Sequence, residues 1–268
     1  MSATSGPAGS FRSMEFVTYN VNSITTRLER VRALLEETEP DVALLQETKV
    51  AEFPSLAFAD LPYRVLEHSG GRWAGVAMLV REGHEISDVT LGLPGEPAED
   101  EARWIEASVD GIRVASVYVP NGRQVDSDTY VEKLAFLDAM LAWARDTTGP
   151  AVVAGDMNVC PTDADAWDPA RLHGGTHVTP QERSRIAQMA ASGFVDVFRA
   201  AEPDEPGFTW WDYRAGAFHK GMGLRIDLAL ARDLDPIEAH VGREWRKPTR
   251  VPGTKPSDHA PLFFSVEP

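Results

Sequence analysis

Seven short apolar runs constrain this chain more than any other feature: residues 16–19, 42–45, 76–80, 114–119, 151–154, 226–231 and 262–266. Each is apolar on nearly every residue and is bounded by Gly, Pro or charge. Runs this short suit strands covered on both faces better than helices, which need 10 residues or more to bury a stripe. Helical patterns lie between them. Thr26 and Glu29 have capping-box spacing, and Leu28, Val31, Leu34 and Leu35 form one stripe before Pro40. Tyr130, Leu134, Leu137 and Leu141 form another. Thr179-Pro180-Gln181-Glu182 combines a cap, a first-turn proline and a reciprocal carboxylate, with Gly193 suited to the far end. The order strand, helix, strands, then strand, helix, strand, helix, strands predicts two similar α/β layers in one domain. Residues 92–102 and 160–178 read as surface loops.

The chemistry sits at the ends of these runs. Asn20-Val21-Asn22, Gln46-Glu47 and Gly155-Asp156-Met157-Asn158 each follow a strand-like run, and Ser257-Asp258-His259 precedes the last one. In α/β sheets, polar groups at the carboxyl ends of strands converge on one face, where such folds place their sites.

Totals bound the rest. The 268 residues fit one large domain or two small ones, and one domain is the better match to the element order. Cys160 is the sole cysteine, which excludes an intramolecular disulfide and fits a reducing compartment. Its place close behind Asn158 could suit a redox switch, but a small buried thiol is the expected reading. No apolar stretch approaches the roughly 20 residues of a membrane span. Residues 1–13 lack the apolar segment of a signal peptide; they read as a disordered extension, with Met14 an alternative start. A cytoplasmic protein is expected. The net charge of −15 argues by itself against nucleic acid. It is uneven, however. Glu96, Glu99, Asp100, Glu101 and Glu106 surround Arg103, whereas Arg243, Arg246, Lys247, Arg250 and Lys255 surround Glu244. A basic rim on an acidic body and a merely solvated charged surface both remain open.

A hard divalent cation takes carboxylate and amide oxygens. Glu47 is placed to be its central ligand, Asp258 to add a second carboxylate, and Asn20 or Asn22 to add amide oxygens. Histidine and cysteine are too sparse for a zinc site. Asp156 and Asn158, two apart on an extended segment, share one side. There the acid can orient or deprotonate a water and the amide can hold it; an Asx turn that ends the strand is the alternative. Asp227 lies inside an apolar strand and needs a donor, which His259 or an arginine would supply. Tyr118 can donate to a phosphate oxygen or serve as a core tyrosine.

Five blocks together carry a resemblance: residues 19–23 (Tyr-Asn-Val-Asn-Ser), 40–49 (from Pro-Asp-Val to Leu-Gln-Glu-Thr-Lys), 155–163, 223–227 (Gly-Leu-Arg-Ile-Asp) and 255–261 (Lys-Pro-Ser-Asp-His-Ala-Pro). In this order they resemble the signature blocks of exonuclease III-type abasic-site endonucleases in the endonuclease/exonuclease/phosphatase superfamily, across residues 15–266. The resemblance implies a four-layered α/β sandwich with two packed mixed sheets, of the deoxyribonuclease I type. It implies Mg²⁺ on Glu47, with Asn20, Asn22 and Asp258 around it and Mn²⁺ as the alternative ion. Asp156 would act on the attacking water and Asn158 would aid it. Tyr118 and His259 would contact the scissile phosphate, and Asp227 would orient His259.

Residues 208–214 (Phe-Thr-Trp-Trp-Asp-Tyr-Arg) resemble the block that shapes a flipped-out sugar pocket, walled here by Trp210, Leu224 and Ile226. A buried aromatic core cluster is the alternative reading of that stretch. Residues 118–123 match a loop that would bring Asn121 and Arg123 to phosphates. One departure is Asn22-Ser23, where relatives carry Asp-Gly or Asn-Gly. The expected activity is metal-dependent incision 5′ to abasic sites in double-stranded DNA by a monomer, with 3′-phosphatase, 3′-phosphodiesterase and 3′→5′ exonuclease activity alongside. Another phosphodiesterase or phosphatase of the superfamily, and an inactive damaged-DNA-binding protein, are the alternatives.

Overall fold

The computed structural model describes residues 13–268; the expected disordered extension lies, but for Ser13, outside the described residues. The chain order is β1 (Met14–Asn20), α1 (Ile24–Thr38), β2 (Val42–Gln46), β3 (Tyr63–His68), β4 (Val76–Arg81), β5 (Ile86–Leu91), β6 (Trp104–Val109) and β7 (Ile112–Tyr118). There follow α2 (Asp128–Asp146), β8 (Ala151–Asp156), α3 (Pro169–Leu172), α4 (Pro180–Ala191), β9 (Val195–Asp196), α5 (Val197–Ala201), β10 (Asp227–Arg232), β11 (Asp235–Val241) and β12 (Leu262–Glu267).

The strands form two six-stranded mixed sheets, ordered β11-β12-β1-β2-β4-β3 and β5-β6-β7-β8-β10-β9. Each sheet holds one parallel pair joined through a helix: β1–β2 by α1, and β7–β8 by α2. The two similar α/β layers expected from the element order are these. Alternation explains why the runs read as continuously apolar. Phe16, Val42, Leu44 and Met78 point between the sheets against Val114, Val152, Ala154 and Ala229. Their neighbours Val17, Tyr19, Ala43 and Leu45 point out beneath α1, and Val153, Leu228 and Leu230 point out into the core shared with α2 and α4. Both faces of each central strand are covered, so both are mainly apolar, and the few polar side chains there pair with one another, as Gln46 does with Thr18 and Ser116. The result is four layers: helix, sheet, sheet, helices.

Helix ends follow the sequence with one correction. Thr179 and Glu182 form a reciprocal capping box at α4. For α1 the cap is Ser23, whose side chain accepts from Thr26 N, so Thr26 lies inside the first turn. The acidic stretch 96–106 is also corrected. Glu106 belongs to β6 and is buried, accepting from Trp143 Nε1 at 2.6 Å and from Arg113 at 2.9 Å. Glu96 is buried too and caps Leu93 N at 2.8 Å. Glu99 and Asp100 remain exposed. Nor is the loop 160–178 wholly superficial, since Cys160, Asp165, Ala166 and Val178 are buried.

Candidate active site

The site is built on strand register. In one sheet Asn20 pairs with Gln46, the last residues of β1 and β2. In the other, Tyr118, Asp156 and Asp227 form one row across β7, β8 and β10. The residues before β12, antiparallel to β1, bring Ser257-Asp258-His259 to the same end. The two rows face each other across the sandwich. Within the second row Gly155 lets β8 lie against β7: at φ 153° a Cβ there would lie 2.0 Å from Val117 O.

Asn20 Nδ2 donates at 2.8 Å to both Glu47 Oε1 and Asp156 Oδ2. Asn22 Nδ2 donates to Asp258 Oδ1 at 2.9 Å, and Trp210 Nε1 donates to Asp258 Oδ2 at 3.1 Å. His259 Nδ1 lies 2.8 Å from Asp227 Oδ2, so the partner of Asp227 is the imidazole. His259 Nε2 stands 3.8 Å from Asp156 Oδ2, beyond a hydrogen bond. Asn158 N donates to Asp156 Oδ1 at 2.9 Å, which is the Asx-type contact, yet the Asn158 side chain reaches on to Val119 O and accepts from Asn121 Nδ2. Asn121 and Arg123 lie exposed at the rim.

Burial and charge set the protonation states. Burial alone would push His259 down. Asp227, then Asp156 and Asp258, outweigh it and raise the imidazole to about 10, so it is a cation at neutral pH. Burial raises Asp156 to about 8; His259 opposes that rise, while Asp227 and Glu47 add to it. Burial raises Tyr118 well above the ordinary phenol range, and Glu47 and Asp156 add to it, leaving a neutral hydroxyl donor. Asp258 stays below the ordinary carboxylate range: burial pushes it up, but His259 and the Asn22 and Trp210 hydrogen bonds more than compensate.

Six non-glycine residues around these groups have left-handed backbone: Asn22, Ser23, Glu47, Lys49, Arg123 and Asn158, with φ from 44° to 91°. Each costs on the order of 1 kcal/mol and persists only where the surroundings over-determine it. They do so here, for Ser23 N donates to Glu47 O at 2.7 Å and Lys49 N to Ala74 O at 2.9 Å.

One group of potential ligands among the described residues offers atoms within 4.8 Å of one another: Glu47, Asp156 and His259. As a cation bound to Asp227, His259 is a poor ligand, which leaves oxygens, the set a hard divalent ion takes. A positive charge already sits against two members of the expected ligand set. Lys49 Nζ contacts a Glu47 carboxylate oxygen and lies 2.7 Å from Asn22 Oδ1. Asn20 presents its nitrogen to the acids while its Oδ1 accepts from Asn22 N at 3.0 Å. An amide turned over would offer the oxygen instead, at the cost of those bonds.

The expected apolar wall forms one cluster. Leu224 and Ile226 pack with Cys160, Ala166 and Val178, and half-buried Trp210, Trp167 and Leu172 pack against them. Trp210 bridges to both Leu224 and His259. Its neighbour Trp211 turns the other way, fully buried against Phe218; the core alternative thus holds for one tryptophan of the pair. Cys160 is buried, and its thiol is pushed up to about 12 by burial, then by Asp165. On the opposite side Glu47, Lys49, Tyr118 and Asn121 open into a cavity of about 260 Å³ with Arg103 and Trp73. Arg103 stacks 4.8 Å over the Tyr118 ring, and Trp73 is 66% exposed under Arg72. Sequence reasoning passed over Lys49, Arg103, Trp73 and Trp167. Only Lys49 carried a signal, two residues beyond Glu47.

A two-sheet α/β sandwich with carboxylates, amides and an Asp-supported imidazolium at one edge defines a phosphoester hydrolase. The chain belongs to the Endonuclease/Exonuclease/phosphatase family, whose signature matches residues 17–259. Within it the chain is of the exonuclease III type. It is 30% identical over 270 residues to exodeoxyribonuclease III of Haemophilus influenzae, covering 93% of this chain and 98% of that protein. It superposes with a TM-score of 0.86 and 35% identity on an AP endonuclease from Archaeoglobus fulgidus, covering 95% and 99% of the two chains. A 3′ phosphatase from Neisseria bound to a product DNA hairpin gives 0.87 and 33%, covering 94% and 98%.

Proposed function

We propose that this chain is a divalent-metal-dependent DNA repair nuclease that cleaves the phosphodiester 5′ to abasic sites and also removes 3′-blocking phosphates and 3′ nucleotides. The observation that carries this is the strained, cross-sheet cluster in which Asn20 joins Glu47 to Asp156, and Asp227 supports a cationic His259. Such a cluster is organised for charge that grows on phosphate oxygens.

Mg²⁺, with Mn²⁺ as the alternative, would be held mainly by Glu47, with Asp258, Asn20 and Asn22 around it. Bound there, it would neutralise phosphate charge as a Lewis acid. The remaining work falls to the chain itself. Asp156, in its ionised form, takes a proton from the attacking water, and Asn158 helps to hold that water. His259 donates from Nε2 to a phosphate oxygen while Asp227 fixes Nδ1, and the neutral Tyr118 hydroxyl donates from the other side. Asn121 and Arg123 receive flanking phosphates. Trp210, Leu224 and Ile226 border the space for a baseless sugar, which costs least to extrude because no base is stacked. The substrate is double-stranded DNA with abasic sites or blocked 3′ ends, acted on by a monomer in the cytoplasm. None of the helices described is long and apolar enough to cross a membrane.

Single-turnover incision of a tetrahydrofuran-containing duplex with Mg²⁺ tests the proposal. One cut on the 5′ side is expected. No cut by protein that still binds Mg²⁺ would overturn it.

A further inference from the structure

Behind the site lies a charge that the chemistry above does not use. Lys133, in the second turn of α2, has a fully buried side chain. Its Nζ contacts Glu182 Oε1 and lies 2.7 Å from Asn158 O, 3.1 Å from Thr176 Oγ1 and 3.3 Å from Asn121 O. Glu182 is equally buried. It sits in the first turn of α4 and binds His177 N at 3.0 Å and Thr179 N at 3.0 Å. An ammonium has three donors, and two of its four acceptors are main-chain carbonyls of residues assigned here to the site. The Asn158 carbonyl also receives His177 Nδ1 at 2.6 Å. Asn158 is left-handed at φ 50°, as is Arg123 at 47°. At Gly122, between Asn121 and Arg123, a Cβ would lie 2.8 Å from Lys133 Cδ, so the loop is seated directly on the lysine stem.

We infer that the Lys133–Glu182 pair is the positioning element of this site: it fixes the strained Asn158 and the Asn121 loop at the separation that phosphoester cleavage needs. The pair touches no substrate atom. It acts through two carbonyls, one on the segment carrying Asp156 and Asn158, the other on the segment carrying Asn121 and Arg123. Between them the Asn121–Asn158 side-chain bond of 3.1 Å spans the same gap. A buried pair is a weak source of net stability but a costly one to leave half made, because the surviving charge is uncompensated. That asymmetry separates positioning from simple support. Removing both charges restores compensation without restoring the grip on Asn121 O and Asn158 O.

The inference rests on the proposed function for its rate readout, so it is tested by three measurements on the full chain. Lys133→Met, Glu182→Gln, the double variant and Lys133→Arg are compared for melting temperature, for kcat and KM on abasic and 3′-phosphate duplexes, and for amide exchange over residues 157–160. Lys133→Met is expected to lower both melting temperature and kcat. The double variant should recover melting temperature while kcat stays down by about 100-fold, the scale of an ångström-level misplacement, with KM changed far less. Exchange over residues 157–160 should stay fast in that variant, and Lys133→Arg should regain part of kcat. Recovery of kcat together with melting temperature in the double variant would reduce the pair to ordinary support and overturn the inference. If the parent cuts neither duplex, the proposed function fails, and the exchange result alone decides the positioning role: protection equal to the parent's in the double variant overturns it.

Discussion

The amide of Asn20, at the end of β1, lies 2.8 Å from the carboxylate of Asp156, at the end of β8, and so ties the two sheets together at the site. The same nitrogen is 2.8 Å from Glu47, so one NH₂ group separates two acids that would otherwise repel. Asn20→Asp would replace that donor with a third carboxylate. The variant is expected to melt at lower temperature than the parent without metal, and to show a larger upward shift on adding Mg²⁺, because a bound cation stabilises the folded state by mass action. Calorimetry with and without Mg²⁺ checks this. Equal shifts in both proteins would remove the cation from this corner.

His259→Ala should lower turnover by on the order of 10² to 10⁴, the range of a positioned acid–base group, while duplex affinity changes little. Asp227→Asn keeps the shape but loses the charge that supports the imidazolium, so it should fall in the same direction by a smaller factor. Pre-steady-state kinetics paired with a binding titration separates the two effects. Equal losses of binding and turnover would show that His259 holds substrate without discriminating the transition state.

Trp210→Ala distinguishes the substrate from the chemistry. Incision at a tetrahydrofuran site should fall at least tenfold, with phosphate release from an unhindered 3′ end reduced less. An unchanged rate on both would favour a different phosphoester as the natural substrate.

These residues also show what the sequence could and could not tell. His259, Asp227, Asp156 and Glu47 were legible because each is polar beside a buried run, where an unpaired charge is costly. The edge strands β3, β5, β9 and β11 were not legible. Their exposed faces dilute the pattern, as in β5, where five of six residues are exposed. β6 was hidden by Glu106, whose partner Trp143 comes from a helix 37 residues away. Long-range pairing of that kind leaves no local trace.

The basic segment 243–255 is largely spoken for within the fold. Arg243 stacks on Trp211, Arg246 on Tyr213 and Arg250 on Trp245, at 5.3, 4.9 and 4.2 Å. Lys247 and Lys255 are exposed. If they meet DNA phosphates, each Ala variant should lower the slope of log affinity against log salt by about 0.9. Slopes matching the parent's would take this segment out of the interface.

Asp165 anchors the floor of the apolar wall. It accepts from Arg225 Nε at 2.7 Å and Arg199 at 2.8 Å. Burial pushes its carboxyl up, but Arg225, Thr162 and Arg199 more than offset that and hold it below the ordinary range. Its folded value lies below its unfolded one, so its contribution is full above about pH 4 and is lost as pH falls through the folded value. Asp165→Asn should cost about 3 kcal/mol at neutral pH and flatten the acid limb of the stability curve. Urea titrations from pH 2 to 7 measure both. A variant with the parent's acid slope would contradict this assignment.

The most direct test of the central claim is one end-labelled panel: abasic, 3′-phosphate and undamaged duplexes, each with Mg²⁺ and with EDTA. Metal-dependent incision 5′ to the abasic site, 3′-phosphate release, slower trimming of undamaged ends, and loss of all three in EDTA or in Glu47→Gln are expected. Cleavage that persists in EDTA, or no cleavage of any duplex by protein that binds Mg²⁺, would contradict it.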